Sequence, residues 1–463
     1  MTDPYHATIR SFLEEKGLRR GLDHMRQTLI ASGDFRFEKS PKEEIYAFAT
    51  PLLLTQDQSE GLFHGTQRVV RALEETGSWL RSHPLEARER LRLFSDMEEE
   101  FFALDPGFSE HLPIHRLDFA FSPHSQPQLL EVNCGCPGGE LDPALVAGAF
   151  LASPLAQGLN AALSHTGHKE LSVEFQDPRN DSLTTLMRIY QAFGRIRPEF
   201  PEQPTVALIT TSAQAHFMLP ECRGIARHYV ESGYRTLIGD LLELEARGDQ
   251  VRLRGEPIHL IFRKFSTQSF RRRMEDEDLF GREACHRVRE VWEALSQRRL
   301  CMVNPLGSTW LQDKGLLEHI RTKCPELCGI VCETHILGSD FPATNPAIWK
   351  AICKGQEFIL KRRHSFGGRH VILHPESVKA RAPQIIREEP GQWVAQRRAP
   401  IPTYPFAIRD GHGIKVGAFP YTLSPFGRSC FVRVGKGGLH DPVNAHGVGA
   451  ATCALVVGPK QRI

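Results

Sequence analysis

Apolar and polar positions alternate with period two over residues 116–121 (RLDFAF) and again over 128–133 (QLLEVN). The SPHSQP segment between them carries the proline and serine punctuation of a loop, so the pattern predicts a β-hairpin. Arg116 and Asp118 then share one face, as do Glu131 and Asn133. Pairing Phe121 with Gln128 sets Asp118 opposite Glu131 and Arg116 opposite Asn133, with Leu117, Phe119, Leu130 and Val132 on the other side. Ahead of the hairpin, residues 1–110 read as mostly helical. Leu62, Thr66, Val69, Val70 and Leu73 mark one helical face, and 83–104 predicts another helix after Pro84. Behind the hairpin, the glycines of CGCPGG turn the chain into an apolar helix.

Proline-rich residues 198–204 mark a boundary, after which strand and helix patterns alternate: strands at 205–211, 234–239 and 258–264, with a helix at 221–232. This is the pattern of a small Rossmann-like unit. It lacks G-x-G-x-x-G and is not read as a dinucleotide site. From residue 301 onward glycines and basic residues concentrate. Lys314 opens a helical pattern, 358–362 is a strand, HSFGGR a tight loop, 370–373 the returning strand, and 393–399 (WVAQRRA) a short strand before two prolines. The chain therefore divides into a helical region 1–110, the hairpin and following helices 111–197, the Rossmann-like unit 198–300, and a final part 301–463.

A chain of 463 residues is long enough for several domains around a well-buried core. A net charge of +2 gives no electrostatic case for nucleic acid or an anionic membrane as the main partner. The first residues hold no apolar leader and no later stretch reaches the length of a membrane span, so a cytoplasmic location is expected. Eleven cysteines, an odd number, point to reduced thiols. Cys324, Cys328 and Cys332 recur every four residues, a spacing that lines one side of a helix but matches no zinc or iron–sulfur motif. Cys134 and Cys136 flank the end of the hairpin, without a histidine nearby in sequence to activate them.

Two carboxylates facing each other at about 4 Å repel by about 4 kcal/mol at an effective dielectric near 20, so a cation is expected between Asp118 and Glu131. Two carboxylates and the amide oxygen of Asn133 are hard donors that suit Mg²⁺ held together with phosphates. The alternative is a solvated hairpin with acids on its wet face. A lysine, Lys361, leading into a glycine-rich turn suits phosphate, since bare backbone N–H groups can approach the oxygens. An ordinary hairpin turn is the alternative there, because G-x-x-x-x-G-K-[ST] is absent.

R-x-D followed by L-L-E-x-N, then NPLGS…K-G-L-L, K…F-G-G-R and W-V-A-Q, in that order, resemble the ATP-grasp ligases related to glutathionylspermidine synthetase and eukaryotic glutathione synthetase. The acidic ligands precede the lysines, the order of the circularly permuted members. The resemblance spans most of residues 110–450, although the R-E-G triplet of glutathionylspermidine synthetase is missing from the glycine loop. It implies an α/β, ATP-grasp fold with an inserted Rossmann-like substrate domain, and an ATP-dependent carboxylate–amine ligase that forms an acyl phosphate and releases ADP. Asp118, Glu131 and Asn133 would hold Mg²⁺, two ions in the family. Lys314 and Lys361 would contact phosphates, Ser365, Gly367 and Gly368 would lie in the lid, and Gln396 and Arg398 at the adenine-side hinge. Arg116 would stabilise the reacting oxyanion, and Arg263, Arg433 and Asn444 would contact substrate. The implied partners are a small carboxylate, such as an amino acid or small peptide, and an amine. A non-catalytic ATP-binding module of the same fold and a carboxylate kinase are the alternatives, and the oligomeric state, a homodimer among the options, is left open.

Overall fold

The computed structural model describes residues 6–13, 17–35, 47–121, 126–165, 171–212, 215–365, 370–436 and 449–459. The hairpin strands Arg116–Ala120 and Gln128–Asn133 form the edge of a nine-stranded sheet. Next to them run Gly413–Phe426, Ser429–Gly435, Gly449–Pro459, Phe48–Ala49 and Thr403–Asp410 in that order, while Leu52–Thr55 and Leu171–Glu174 flank the far half of Gly449–Pro459. Thr403–Asp410 also pairs with Gly413–Phe426, so the sheet curls back on itself. The helical reading of the N-terminal region omitted two of these strands, Phe48–Ala49 and Leu52–Thr55. Both are short, buried and paired in parallel with residues near the C-terminal end, so no local alternation announces them.

The register at the functional end of the hairpin is as expected: Arg116 faces Asn133 and Asp118 faces Glu131. Beyond that point it shifts. Gln128 pairs with Ala120, not Phe121, and Leu129 pairs with Phe119, so Leu130 is the extra residue of a β-bulge. Leu129 rather than Leu130 is then fully buried, and its N–H bonds to the Ile330 carbonyl at 2.7 Å.

Four parallel strands form a second sheet in the order Cys301–Val303, Leu260–Arg263, Val206–Thr210, Thr236–Asp240. Val206–Thr210 is buried at every position, as an apolar run covered on both faces must be. Helices Pro178–Gly194 and Ala215–Glu231 cover one side, and Arg282–Ser296 covers the other. A third, antiparallel sheet orders Thr334–Ile336, Trp393–Arg397, Phe358–Arg362 and Val371–Ile372, backed by helices Pro346–Lys354 and Pro375–Glu388.

Two helical expectations are corrected. The single helix after Pro84 is two, Pro84–Leu91 and Asp96–Ala103: Arg92 takes a φ of 54° that ends the first, and the Ser95 hydroxyl caps the second. The cysteine run does not line a helix. Cys324 ends helix Leu316–Lys323, Pro325 starts a short 3₁₀ turn, and Cys328 is exposed while Cys332 is buried. Among the described residues no single helix is long and apolar enough to cross a membrane.

Candidate active site

Asp118 is the centre of the site because the strands on its side of the large sheet all send polar groups to it. Arg116, two residues before it on the same face, places Nε 3.0 Å from Oδ1 and donates Nη1 to the Gly138 carbonyl at 2.7 Å. Asn133, on the facing strand, donates Nδ2 to Oδ2 at 3.1 Å. From the neighbouring strands, the Ser424 hydroxyl donates to Oδ1 at 2.8 Å and Arg433 Nη2 lies 2.8 Å from Oδ2. Burial pushes the Asp118 carboxyl up, but the Arg116 and Arg433 guanidinium groups outweigh it and hold the pKa at about 2.

Glu131 has a different cation. Lys314 Nζ lies 3.2 Å from its Oε1 and donates to the Ser365 carbonyl at 2.8 Å. The bulge brings in the fourth base: the skipped residue, Leu130, offers its carbonyl to Lys361 Nζ at 3.0 Å. Burial lowers the Lys361 ammonium, Glu131 restores part of that loss and Lys314 adds to it. Two acids (Asp118, Glu131) against four bases (Arg116, Lys314, Lys361, Arg433) leave an excess of 4 − 2 = +2 in a largely buried cluster. A cluster of that balance favours an anion over a further cation.

Gln396 is fully buried on the third sheet, paired with Ile359 and Thr334. The Thr334 hydroxyl donates to the Cys332 carbonyl at 3.0 Å, so its oxygen accepts from Gln396 Nε2 at 3.3 Å. The amide is thereby oriented, and Gln396 Oε1 is left buried with no donor among the described residues. Arg398 and Arg263 are not brought to the cluster. Arg398 gives Nη2 to the carbonyls of Gly355 and Leu373. Arg263, fully buried, donates to the carbonyls of Asn304, Pro305 and Gly135 and to Thr267 and Ser308, and so holds the turn after Asn133 rather than facing an open anion site. Gly367, Gly368 and Asn444 lie outside the described residues. Burial raises both thiols at the hairpin end, and Cys134 donates its proton to the Ser308 carbonyl at 3.1 Å, so neither is set up as a nucleophile.

Sequence reasoning missed Ser424, which reaches Asp118 across 306 residues of chain and has no local motif. It also passed over Asp313 and Arg363, whose adjacency to Lys314 and Lys361 was the available signal.

The mixed α/β architecture has a counterpart among solved structures. The chain is similar over 98% of its length, and over 98% of the other chain, to a glutathione synthetase-like effector from Globodera pallida in its apo form, with a TM-score of 0.57 at 10% sequence identity. At that identity the likeness is one of fold. A provisional gamma-glutamylcysteine synthetase from Methylobacillus flagellatus matches 81% of this chain and 85% of its own at 10% identity, with a TM-score of 0.35 that carries no argument. No family model and no curated protein matches the sequence.

Proposed function

We propose that this protein is an ATP-dependent carboxylate–amine ligase of the permuted ATP-grasp type. The observation that carries the reading is the excess of two positive charges around Asp118 and Glu131, gathered from the hairpin, the 314 turn, the 358–362 strand and the 429–435 strand. A triphosphate is an anion of the size and charge that such a cluster accepts. Lys314 and Lys361 hold its oxygens. A carboxylate substrate then attacks the γ-phosphorus, ADP leaves, and an amine displaces phosphate from the acyl carbon. Arg116 stabilises the oxyanion formed on the way, and no side-chain nucleophile is required.

The donor set fits Mg²⁺. Asp118 stays ionised at neutral pH, Glu131 is one-fifth exposed, and Asn133 adds an amide oxygen, all hard ligands. Among the described residues no three His, Cys, Asp or Glu side chains gather as a metal cage. When bound there it would neutralise charge developing on the transferred phosphoryl group. Arg116 and Arg433 now occupy the Asp118 oxygens, and they are the groups that would turn to the incoming anion as the carboxylate is released.

Incubation with ATP and pooled amino acids, small peptides and polyamines tests the whole reading. Release of ADP that depends on one acid and one amine identifies the pair; ATP binding without such turnover makes the protein a nucleotide-binding module instead.

Two binding predictions follow from single side chains. Lys361→Ala should weaken ATP affinity by about 1 to 3 kcal/mol, the scale of a charge-assisted hydrogen bond lost from a buried site. Lys379→Ala should do almost nothing, because Lys379 is exposed and its partner Glu376 lies 3.9 Å away. Nucleotide titration of both variants checks the ranking.

The bare Gln396 oxygen needs a donor. The 6-amino group of adenine is one, and the 6-oxo group of guanine is not. Wild type should therefore prefer ATP over GTP, and Gln396→Leu should shrink that preference by about 1 to 3 kcal/mol. Equal affinity of the wild type for the two nucleotides would remove Gln396 from the base site.

A further inference from the structure

We infer that the buried Asp313–Arg363 ion pair is a positioning element that keeps Lys314 and Lys361 at a fixed separation across the anion site. The inference rests on the nucleotide reading above for what the two lysines bind. Asp313 directly precedes Lys314, and Arg363 follows Lys361 by two residues. The guanidinium grips the carboxylate in a forked contact, Nε lying 3.0 Å from both oxygens and Nη2 closing on Oδ2. Side-chain exposure is 4% for Arg363 and 0% for Asp313, so water does not compete.

Each partner also fixes backbone. Asp313 Oδ1 accepts the Gly315 N–H at 2.9 Å, which folds the chain around Lys314. Arg363 donates Nη1 to the Gly391 carbonyl at 3.2 Å and Nη2 to the Arg90 carbonyl, and its own N–H bonds to the Gln392 carbonyl at 3.0 Å. His364 Nε2 lies 3.8 Å from the same carboxylate. Lys314 is thus held at both ends, its backbone by Asp313 and its ammonium by the Ser365 carbonyl two residues beyond Arg363. A buried ion pair is weak support for stability alone, because apolar groups of equal volume serve as well. A planar fork does what apolar packing cannot: it fixes the direction in which two segments meet.

Gly315 offers a way to disturb this without touching a charge. A Cβ there would lie 2.7 Å from Arg363 Nε and 2.9 Å from Cζ. Gly315 has a helical backbone, φ −65° and ψ −26°, which alanine adopts without strain. Gly315→Ala therefore acts by displacing the guanidinium.

The test is titration of ATP, and separately of inorganic tripolyphosphate, into wild type, Gly315→Ala, Arg363→Lys, Lys314→Ala and the double variant Lys314→Ala/Gly315→Ala, with a thermal melt of each. Gly315→Ala and Arg363→Lys should each weaken both ligands about tenfold, and Gly315→Ala should add less than about twofold once Lys314 is gone, since the positioned group is absent. If one single variant fails to fold, the other carries the test. Unchanged affinity in a folded variant, or a full tenfold loss that persists without Lys314, overturns the inference alone. Failure of the wild type to bind either ligand overturns the inference and the nucleotide reading together.

Discussion

Asp118→Asn should lose turnover on the order of 10²- to 10³-fold, the scale of removing one preorganised electrostatic contact from a phosphoryl-transfer site. The argument begins from what Asp118 does in the structure: one carboxylate collects Arg116, Arg433, Asn133 and Ser424. Without its charge the two guanidinium groups lose the anion that separates their duties, and the proposed metal-ligand set becomes one acid and two amides. Asp118→Ala goes further. It leaves two half-buried cations facing a void, which should cost up to about 3 kcal/mol of stability, so the asparagine variant is the one to assay. Glu131→Gln should lose comparable activity with a smaller stability change, because Glu131 is more exposed. Wild-type turnover in both the asparagine and glutamine variants would end the metal-site reading.

Acid unfolding offers a separate check on Asp118. Its folded pKa of about 2 lies below the carboxyl of an unfolded chain, so its stabilisation is complete above about pH 4 and is lost as pH falls through 2. The amount is about 2 kcal/mol. Asp118→Asn should therefore show a shallower fall in stability over that window.

The hairpin was legible because both its strands alternate and its acids sit on the polar phase of that alternation. The bulge was not. Leu129 and Leu130 are both apolar, so the pattern does not say which one is skipped, and the choice is made by the remote Ile330 carbonyl. That distinction matters chemically, since the skipped residue is the one that meets Lys361. Three of the four parallel strands were readable from the strand–helix alternation, and Cys301–Val303, only three residues long, was not. The curled antiparallel sheet of residues 403–459 was not, because its closure depends on residues 48–55 pairing across the length of the chain. Ser424 and Arg433 reach Asp118 because strand 413–426 pairs with the hairpin and strand 429–435 lies beside it, a long-range pairing with no local signal, Arg433 having been singled out by resemblance and Ser424 by nothing. The cysteine run shows the opposite failure. A four-residue spacing suggested a helix, and Pro325 in the middle was the local signal against it. Arg263 was expected to contact substrate, but a strand end in a parallel sheet also abuts loops, and here seven of the chain's own acceptors surround it.

Hydroxylamine added to enzyme, ATP and the correct acid should trap a hydroxamate, and the stoichiometric products of the natural reaction should be ADP and inorganic phosphate. A carboxylate resists attack by an amine because its oxygen is a poor leaving group. Making that oxygen part of a phosphate removes the obstacle, provided the γ-phosphorus is the one presented. Lys314 pairs with Glu131 and Lys361 with the adjoining Leu130 carbonyl, on the strand that faces Asp118 and Arg116, so the cations gather on a short stretch where the end of a polyphosphate chain and the acids' metal would meet. An adenylating site would instead leave the α-phosphorus open and gather its charge around departing pyrophosphate. The expected dependence is strict: hydroxamate requires ATP and the acid, forms without the amine, and is lost in Lys361→Ala at ATP concentrations that saturate the wild type. AMP and pyrophosphate as the stoichiometric products would exclude the acyl phosphate route, and would do so whatever fold the chain shares with glutathione synthetase-like proteins.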